Sequence, residues 1–163
     1  MIIFDTDIIS TFGKIKRLDL LRTLLPDSQF FMVPSVYSEL LKAKDRGYEF
    51  VDYVMEGENF EIISLTKEEM GFLSKLNEER KSLGSGELEC ISVCKHRGSI
   101  FVTNDVAAKK VCDIYNIKFI DLSMILKSLL ATKILTHNEV RALIAEIEKK
   151  DKVVIMDIED ILK

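Results

Sequence analysis

The stretch IIFDTDIIS, residues 2–10, opens as an apolar run, stops on Asp5-Thr6-Asp7, and turns apolar again at once. A short, continuously apolar run is the pattern of a strand buried on both faces of a parallel sheet. The same pattern recurs at residues 99–105, where SIFVT breaks off at Asn104-Asp105. Further strand-like runs lie at Gln29–Val33, Phe60–Ser64 and Ile117–Ile120, with Met1–Phe4 as the first of the five.

Helical periodicity fills the intervals. Ile8, Ile9 and Phe12 continue towards Leu18, Leu21 and Leu25, which predicts a helical region after the first strand. Pro34 opens a second helix, since proline suits a first turn. Thr66-Lys67-Glu68-Glu69 is a capping box that starts a helix to about Lys81. Others are expected at Ser85–Arg97, Asp105–Tyr115, Leu122–Ala131 and Thr136–Lys150, the last with its own capping box and apolar Val140, Leu143, Ile144 and Ile147 on one face. That face suits either the core or a dimer contact, with the core favoured. The tail VVIMDIEDILK adds a strand or a short helix. Strands alternating with helices predict an α/β fold with a mainly parallel sheet and helices on both faces. Residues 1–163 are expected to form one domain, with 132–163 a C-terminal helical extension.

Composition narrows the function classes. The 47% hydrophobic and 31% charged fractions are those of a globular protein. No apolar run approaches the roughly 18 residues that span a bilayer, and no basic signal region precedes the first strand. A cytoplasmic protein without membrane contact is expected. A net charge of −4 argues against binding nucleic acid by electrostatics alone, though not against an enzyme that meets phosphate through bound cations. Cys90, Cys94 and Cys112 with only His96 and His137 make a poor zinc set, so buried thiols are expected.

In a parallel α/β sheet, functional groups gather at the carboxyl ends of the strands. Asp5 and Asp105 each follow a strand directly; Glu39 lies early in the helix after the second strand, and Glu87 and Glu89 lie where LGSGELECISV enters its helix. Singly, each has a plain structural role. Asp105 suits a helix cap, Asp5 a cap or Asx-turn, Glu39 a solvated surface, and Glu87 the positive end of a helix dipole. Together they would repel one another, and a divalent cation with hard oxygen ligands resolves that conflict.

Four segments in order, IIFDTDIIS, VPSVYSELLKA, GSGELECISV and IFVTNDVAAKKVC, resemble the acidic motifs of the PIN-domain nucleases, in particular the VapC-like toxin ribonuclease branch. The resemblance spans about residues 1–130 and implies a three-layer α/β/α sandwich that hydrolyses RNA phosphodiester bonds with Mg²⁺ or Mn²⁺. It carries the catalytic and metal-binding roles to Asp5, Glu39, Glu87 and Asp105, with Glu89 and Asp7 as further candidate ligands. Asp7 stands where the family often has asparagine, and Gly86-Glu87-Leu88-Glu89 leaves a choice between two glutamates, of which Glu87 is preferred. Thr6, Thr103 and Asn104 are candidate phosphate or water contacts, as are Lys14, Lys16 and Arg17 for the RNA backbone; Lys109 and Lys110 pose the same choice between substrate and solvent. The resemblance also implies a homodimer and an antitoxin protein as partner, although an RNA-processing role stays open. Two alternatives compete. A haloacid-dehalogenase-like phosphatase would use Asp5 as nucleophile and Asp7 as acid, and a catalytically inactive PIN-like scaffold would keep the fold alone. A receiver module lacks its paired acids and lysine.

Overall fold

The computed structural model describes residues 1–57 and 59–163. At its centre is β1 (Ile2–Phe4), every residue of which is buried. The strands β2 (Phe30–Met32), β3 (Glu61–Ile62), β4 (Ile100–Val102) and β5 (Phe119–Ile120) complete a sheet in the order β3-β2-β1-β4-β5, all parallel. Register pairs Ile2 with Phe30 on one side and Phe4 with Val102 on the other. All five expected strands are present, each shorter than its apolar run. Phe4 meets Phe30 at 4.7 Å and Phe60 at 5.2 Å between ring centroids, so aromatic packing anchors the middle of the sheet. Chain order reverses at β1, because β2 lies to one side and β4 to the other. Such a reversal opens a crevice at the strands' carboxyl ends.

Helix α1 (Thr6–Lys14) is shorter than the apolar periodicity predicts. It stops in a left-handed turn at Lys16 (φ 56°), with Lys16 N–H donating to Gly13 O at 3.0 Å and Arg17 N–H to Phe12 O at 2.9 Å. That pair of bonds is a Schellman cap, and α2 (Leu18–Leu24) begins after it. The expected helical continuation to Leu25 is therefore two helices. Helix α3 (Pro34–Asp45) starts on its proline as expected.

Helix α4 (Phe50–Glu56) was not anticipated from the sequence. Its FVDYVME carries β-branched and aromatic residues with weak helix preference, so packing decides its state. Phe50 and Val54 sit against Gly13 of α1, where an added Cβ would lie 2.8 Å from Val54 Cγ2 and 2.9 Å from Phe50 Cδ2. Glycine at position 13 permits that approach.

Helices α5 (Lys67–Glu79) and α6 (Ser85–Arg97) are clamped together through Glu69. Glu69 closes the capping box with Thr66, yet it is only 1% exposed and is forked by Arg97 at 2.6 and 2.8 Å. Arg97 also donates to Ser64 O, and the Ser92 hydroxyl donates to Glu69 O at 2.6 Å. The Arg97 bond holds the Glu69 carboxyl below its ordinary pKa.

Helices α7 (Val106–Tyr115), α8 (Leu122–Ala131), α9 (His137–Asp151) and α10 (Ile158–Ile161) complete the chain. The apolar face of α9 is buried against α1 and α8, so it belongs to the core and is not an open dimer face. Asp151 at its end accepts from the Thr11 hydroxyl and the Lys14 ammonium of α1. Residues from the 132–163 region thus share the core built around β1. The tail runs without regular structure before α10, the short helix among the two expectations. Cys90, Cys94 and Cys112 are buried free thiols, as expected. No helix among the described residues is long and apolar enough to cross a membrane.

Candidate active site

The crevice between β1 and β4 gathers the acids. Strand β1 ends at Phe4, and the Asp5 N–H donates to Val102 O at 2.9 Å, so the ladder carries Asp5 to the sheet's edge. Asp5 caps α1, its Oδ1 accepting from Thr6 N–H at 2.8 Å, while Oδ2 accepts from the Thr103 hydroxyl at 2.9 Å. It is 3% exposed. Burial pushes its pKa up to about 8, and the charges of Asp7 and Glu87 push the same way.

Thr103 joins the two strand ends. It is fully buried, and its hydroxyl both donates to Asp5 and accepts the Asp105 N–H at 3.1 Å. Thr103, a candidate phosphate or water contact, here positions Asp5. Asp105 caps α7, with Oδ1 accepting from Ala108 N–H at 2.6 Å. Its charge reaches Asp7.

Asp7 is more deeply integrated than the sequence suggested. Its Oδ1 accepts from Ile8 N–H at 2.6 Å and its Oδ2 from Asn104 N–H at 2.8 Å. Burial raises its pKa to about 6, with Glu87 and Asp105 contributing repulsion against those two hydrogen bonds. Asn104 thus contributes its backbone, and its residue is exposed. The Asp-Thr-Asp spacing was the available signal, because one turn entering a helix places both acids at a single strand end.

Glu39 and Glu87 arrive from α3 and α6. The Thr6 hydroxyl donates to Glu39 Oε2, which ties the start of α1 to α3. Gly86 allows the approach of α3 to α6: a Cβ there would lie 3.2 Å from both Glu39 Oε1 and Val36 Cγ2. Glu87 sits in the first turn of α6, where its charge acts on both Asp5 and Asp7. Glu89 has another task. Two residues further round the helix, it accepts from Ser35 N–H at 2.9 Å and the Ser35 hydroxyl at 2.7 Å, capping α3. That cap was missed, because no local pattern links Ser35 to a residue 54 positions away.

The expectation of four carboxylates already meeting around one point is not met in that form. Among the described residues, no three histidine, cysteine, aspartate or glutamate side chains are grouped closely enough to hold one ion. Asp5, Asp7, Glu39 and Asp105 each turn instead to a nearby N–H or O–H donor. The donor set is still all-oxygen and strongly anionic, which fits a hard divalent cation.

The basic candidates lie elsewhere. Lys14 is eight residues along α1 from Thr6, roughly 12 Å at the usual helical rise, and is paired with Asp151. Lys14, a candidate RNA contact, is engaged in this ion pair. Arg17 pairs with Asp19 at 3.0 Å beside Lys16, both in the turn between α1 and α2. Lys109 binds Asp121 at 2.9 Å and ties α7 to the start of α8, while Lys110 is exposed.

Comparison with known proteins agrees with this fold. The family model described as DUF3368: PIN domain matches residues 1–157. The fold is similar to that of VapBC2 from Rickettsia felis, solved bound to a DNA fragment from their promoter, with a TM-score of 0.58 and 17% identity over 74% of this chain and 98% of that one. It is also similar to VapBC-1 from nontypeable Haemophilus influenzae, with a TM-score of 0.57 and 18% identity over 74% and 98%. No curated protein matches the sequence. With five parallel strands in the order 3-2-1-4-5, acids at the β1–β4 edge and a family match over nearly its whole length, the chain belongs to the PIN-domain family of nucleases.

Proposed function

We propose that this protein is a Mg²⁺- or Mn²⁺-dependent endoribonuclease, the cytoplasmic toxin of a toxin–antitoxin pair. The observation that carries the reading is the pair of acids at the end of β1, buried Asp5 and half-buried Asp7, tied to the end of β4 through Thr103 and Asn104. Their pKa values are raised to about 8 and about 6, chiefly by loss of solvent and also by Glu87. Such a cluster resists ionisation alone and is eased by a divalent cation.

Asp5, Glu87, Asp7 and Asp105, with Glu39 completing the set, would hold the cation only once Asp5, Asp7, Glu39 and Asp105 turn from their present N–H and O–H donors towards it. When bound, the cation neutralises phosphate charge and favours displacement at phosphorus. The chain's own groups do the positioning. Thr103 fixes the Asp5 carboxylate, Thr6 fixes Glu39, and the Asn104 N–H holds Asp7. Ionised carboxylates at this edge orient the attacking water and accept its proton. Geometry favours Glu87 over Glu89, because Glu89 is committed to Ser35.

The fold shared with the two VapBC structures supports a partner antitoxin, and the acidic chain supports phosphate contact through cations rather than through a basic patch. Homodimer formation accompanies this reading. Membership of the PIN-domain family leaves the phosphatase alternative without support, whereas an inactive scaffold is an outcome of the test. Wild type and Asp5→Asn are compared for cleavage of single-stranded RNA with Mn²⁺ and with EDTA. Cleavage by wild type that needs Mn²⁺ and is lost in a well-folded Asp5→Asn is expected; metal-independent cleavage, or full activity in the variant, overturns the reading. No cleavage by wild type indicates the scaffold.

A further inference from the structure

A groove of about 630 Å³ lies between the last turn of α8, the α8–α9 turn and α10. None of the acids of the crevice lines this groove, so the two are separate. Its floor is apolar: Leu130, Ala131, Leu135 and Ile161. Its rim is basic. Lys127, Lys133 and Lys163 face a single acid, Asp160, which already pairs with Lys127 and, at 3.6 Å, with Lys163. Three lysines against one aspartate leave a positive surplus on a chain whose net charge is −4.

Two features select the kind of occupant. An apolar trough with a charged rim is the form that receives an amphipathic peptide, which seats one or two apolar anchors and turns its polar side to the edge. Small-molecule sites carry convergent polar groups within an enclosed wall; here the charged groups stand around the margin. Opposite charge at the margin sets partner choice more than affinity.

We propose that this groove docks an acidic peptide segment bearing an aliphatic or aromatic anchor, with the anchor on Leu130, Leu135 and Ile161 and the carboxylates at Lys127 and Lys133. This holds whether or not the acid crevice cleaves RNA.

The test is selection from a displayed random-peptide library against the intact protein, followed by affinity measurement. Two variants report on the groove: Ala131→Trp fills it from an exposed position, and Lys127→Glu/Lys133→Glu reverses its rim. Selected peptides should be net acidic with at least one apolar anchor, and should bind each variant at least about ten-fold more weakly, the loss expected of one good anchor. Far-ultraviolet circular dichroism and melting check that both variants remain folded. Peptides that are neutral or basic, or that bind Ala131→Trp as well as wild type, overturn the proposal. So does a concentration-dependent dimer lost in Ala131→Trp, which would make a second copy the occupant, and so does the absence of any groove-dependent peptide.

Discussion

The Thr103 hydroxyl donates to Asp5 Oδ2 at 2.9 Å, and through that bond the end of β4 sets the carboxylate at the end of β1. The same oxygen accepts the Asp105 N–H, so one buried group orients both strand-end acids. Thr103→Val keeps the shape and removes both interactions. Leaving buried polar groups unpaired costs about 1–3 kcal/mol. Thr103→Val should therefore lower stability by that amount in urea unfolding and reduce RNA cleavage, while Thr103→Ser should restore most of both. A Val variant with wild-type stability and activity would remove the positioning role.

The raised acids predict how stability depends on pH in EDTA. Asp5 and Asp7 ordinarily titrate near 3.8 and are raised to about 8 and about 6 in the fold. An acid with a raised folded pKa favours the fold fully below its unfolded value, and that contribution is lost as pH rises through the folded value. Wild type should thus lose melting temperature between about pH 4 and pH 8 through these groups. Asp5→Asn keeps the helix cap, since asparagine caps as well as aspartate, and removes the charge. Its melting temperature should exceed that of wild type by about 3 °C or more at the alkaline end, and by less at the acidic end. An equal gap at both ends would contradict the burial of an ionising Asp5.

Glu87 and Glu89 should separate cleanly. Glu87→Gln is expected to abolish metal-dependent cleavage with the fold retained. Glu89→Gln weakens the cap on α3 and should cost about 1 kcal/mol of stability, with cleavage largely preserved. Reversed outcomes in paired unfolding and cleavage assays would exchange their roles.

The clamp between α5 and α6 makes a prediction outside the site. Arg97→Ala leaves Glu69 buried without its partner, and breaking a buried pair in this way costs about 3–5 kcal/mol. The double variant Glu69→Gln/Arg97→Met should recover a good part of that loss in chemical unfolding. A single variant within about 0.5 kcal/mol of wild type would show the pair to be solvated.

Local chemistry made much of this molecule legible. Continuous apolar runs marked β1 and β4 because both are buried, and the capping boxes at Thr66 and Thr136 marked helix starts. Asp5 and Asp105 stood out because each ends a strand. Tertiary effects were hidden. The apolar spacing from Ile8 to Leu25 runs through the left-handed turn at Lys16, which carries no glycine or asparagine signal. Packing on Gly13 decides α4, against a weak intrinsic preference. Lys14 looked free for substrate because its partner, Asp151, lies 137 residues away, and Glu89 looked like a ligand because Ser35 lies 54 residues away. The spread of the carboxylates onto local donors was hidden for the same reason: it follows from side-chain geometry that sequence spacing does not encode.

The central claim is that Asp5 and its neighbouring acids form a divalent-cation site, and calorimetric titration of Mn²⁺ into wild type and Asp5→Asn at neutral pH tests it most directly. Saturable binding to wild type, weakened about hundred-fold or more in a variant with an intact melting transition, is the predicted result. Equal binding by both proteins, or none by wild type, would contradict it.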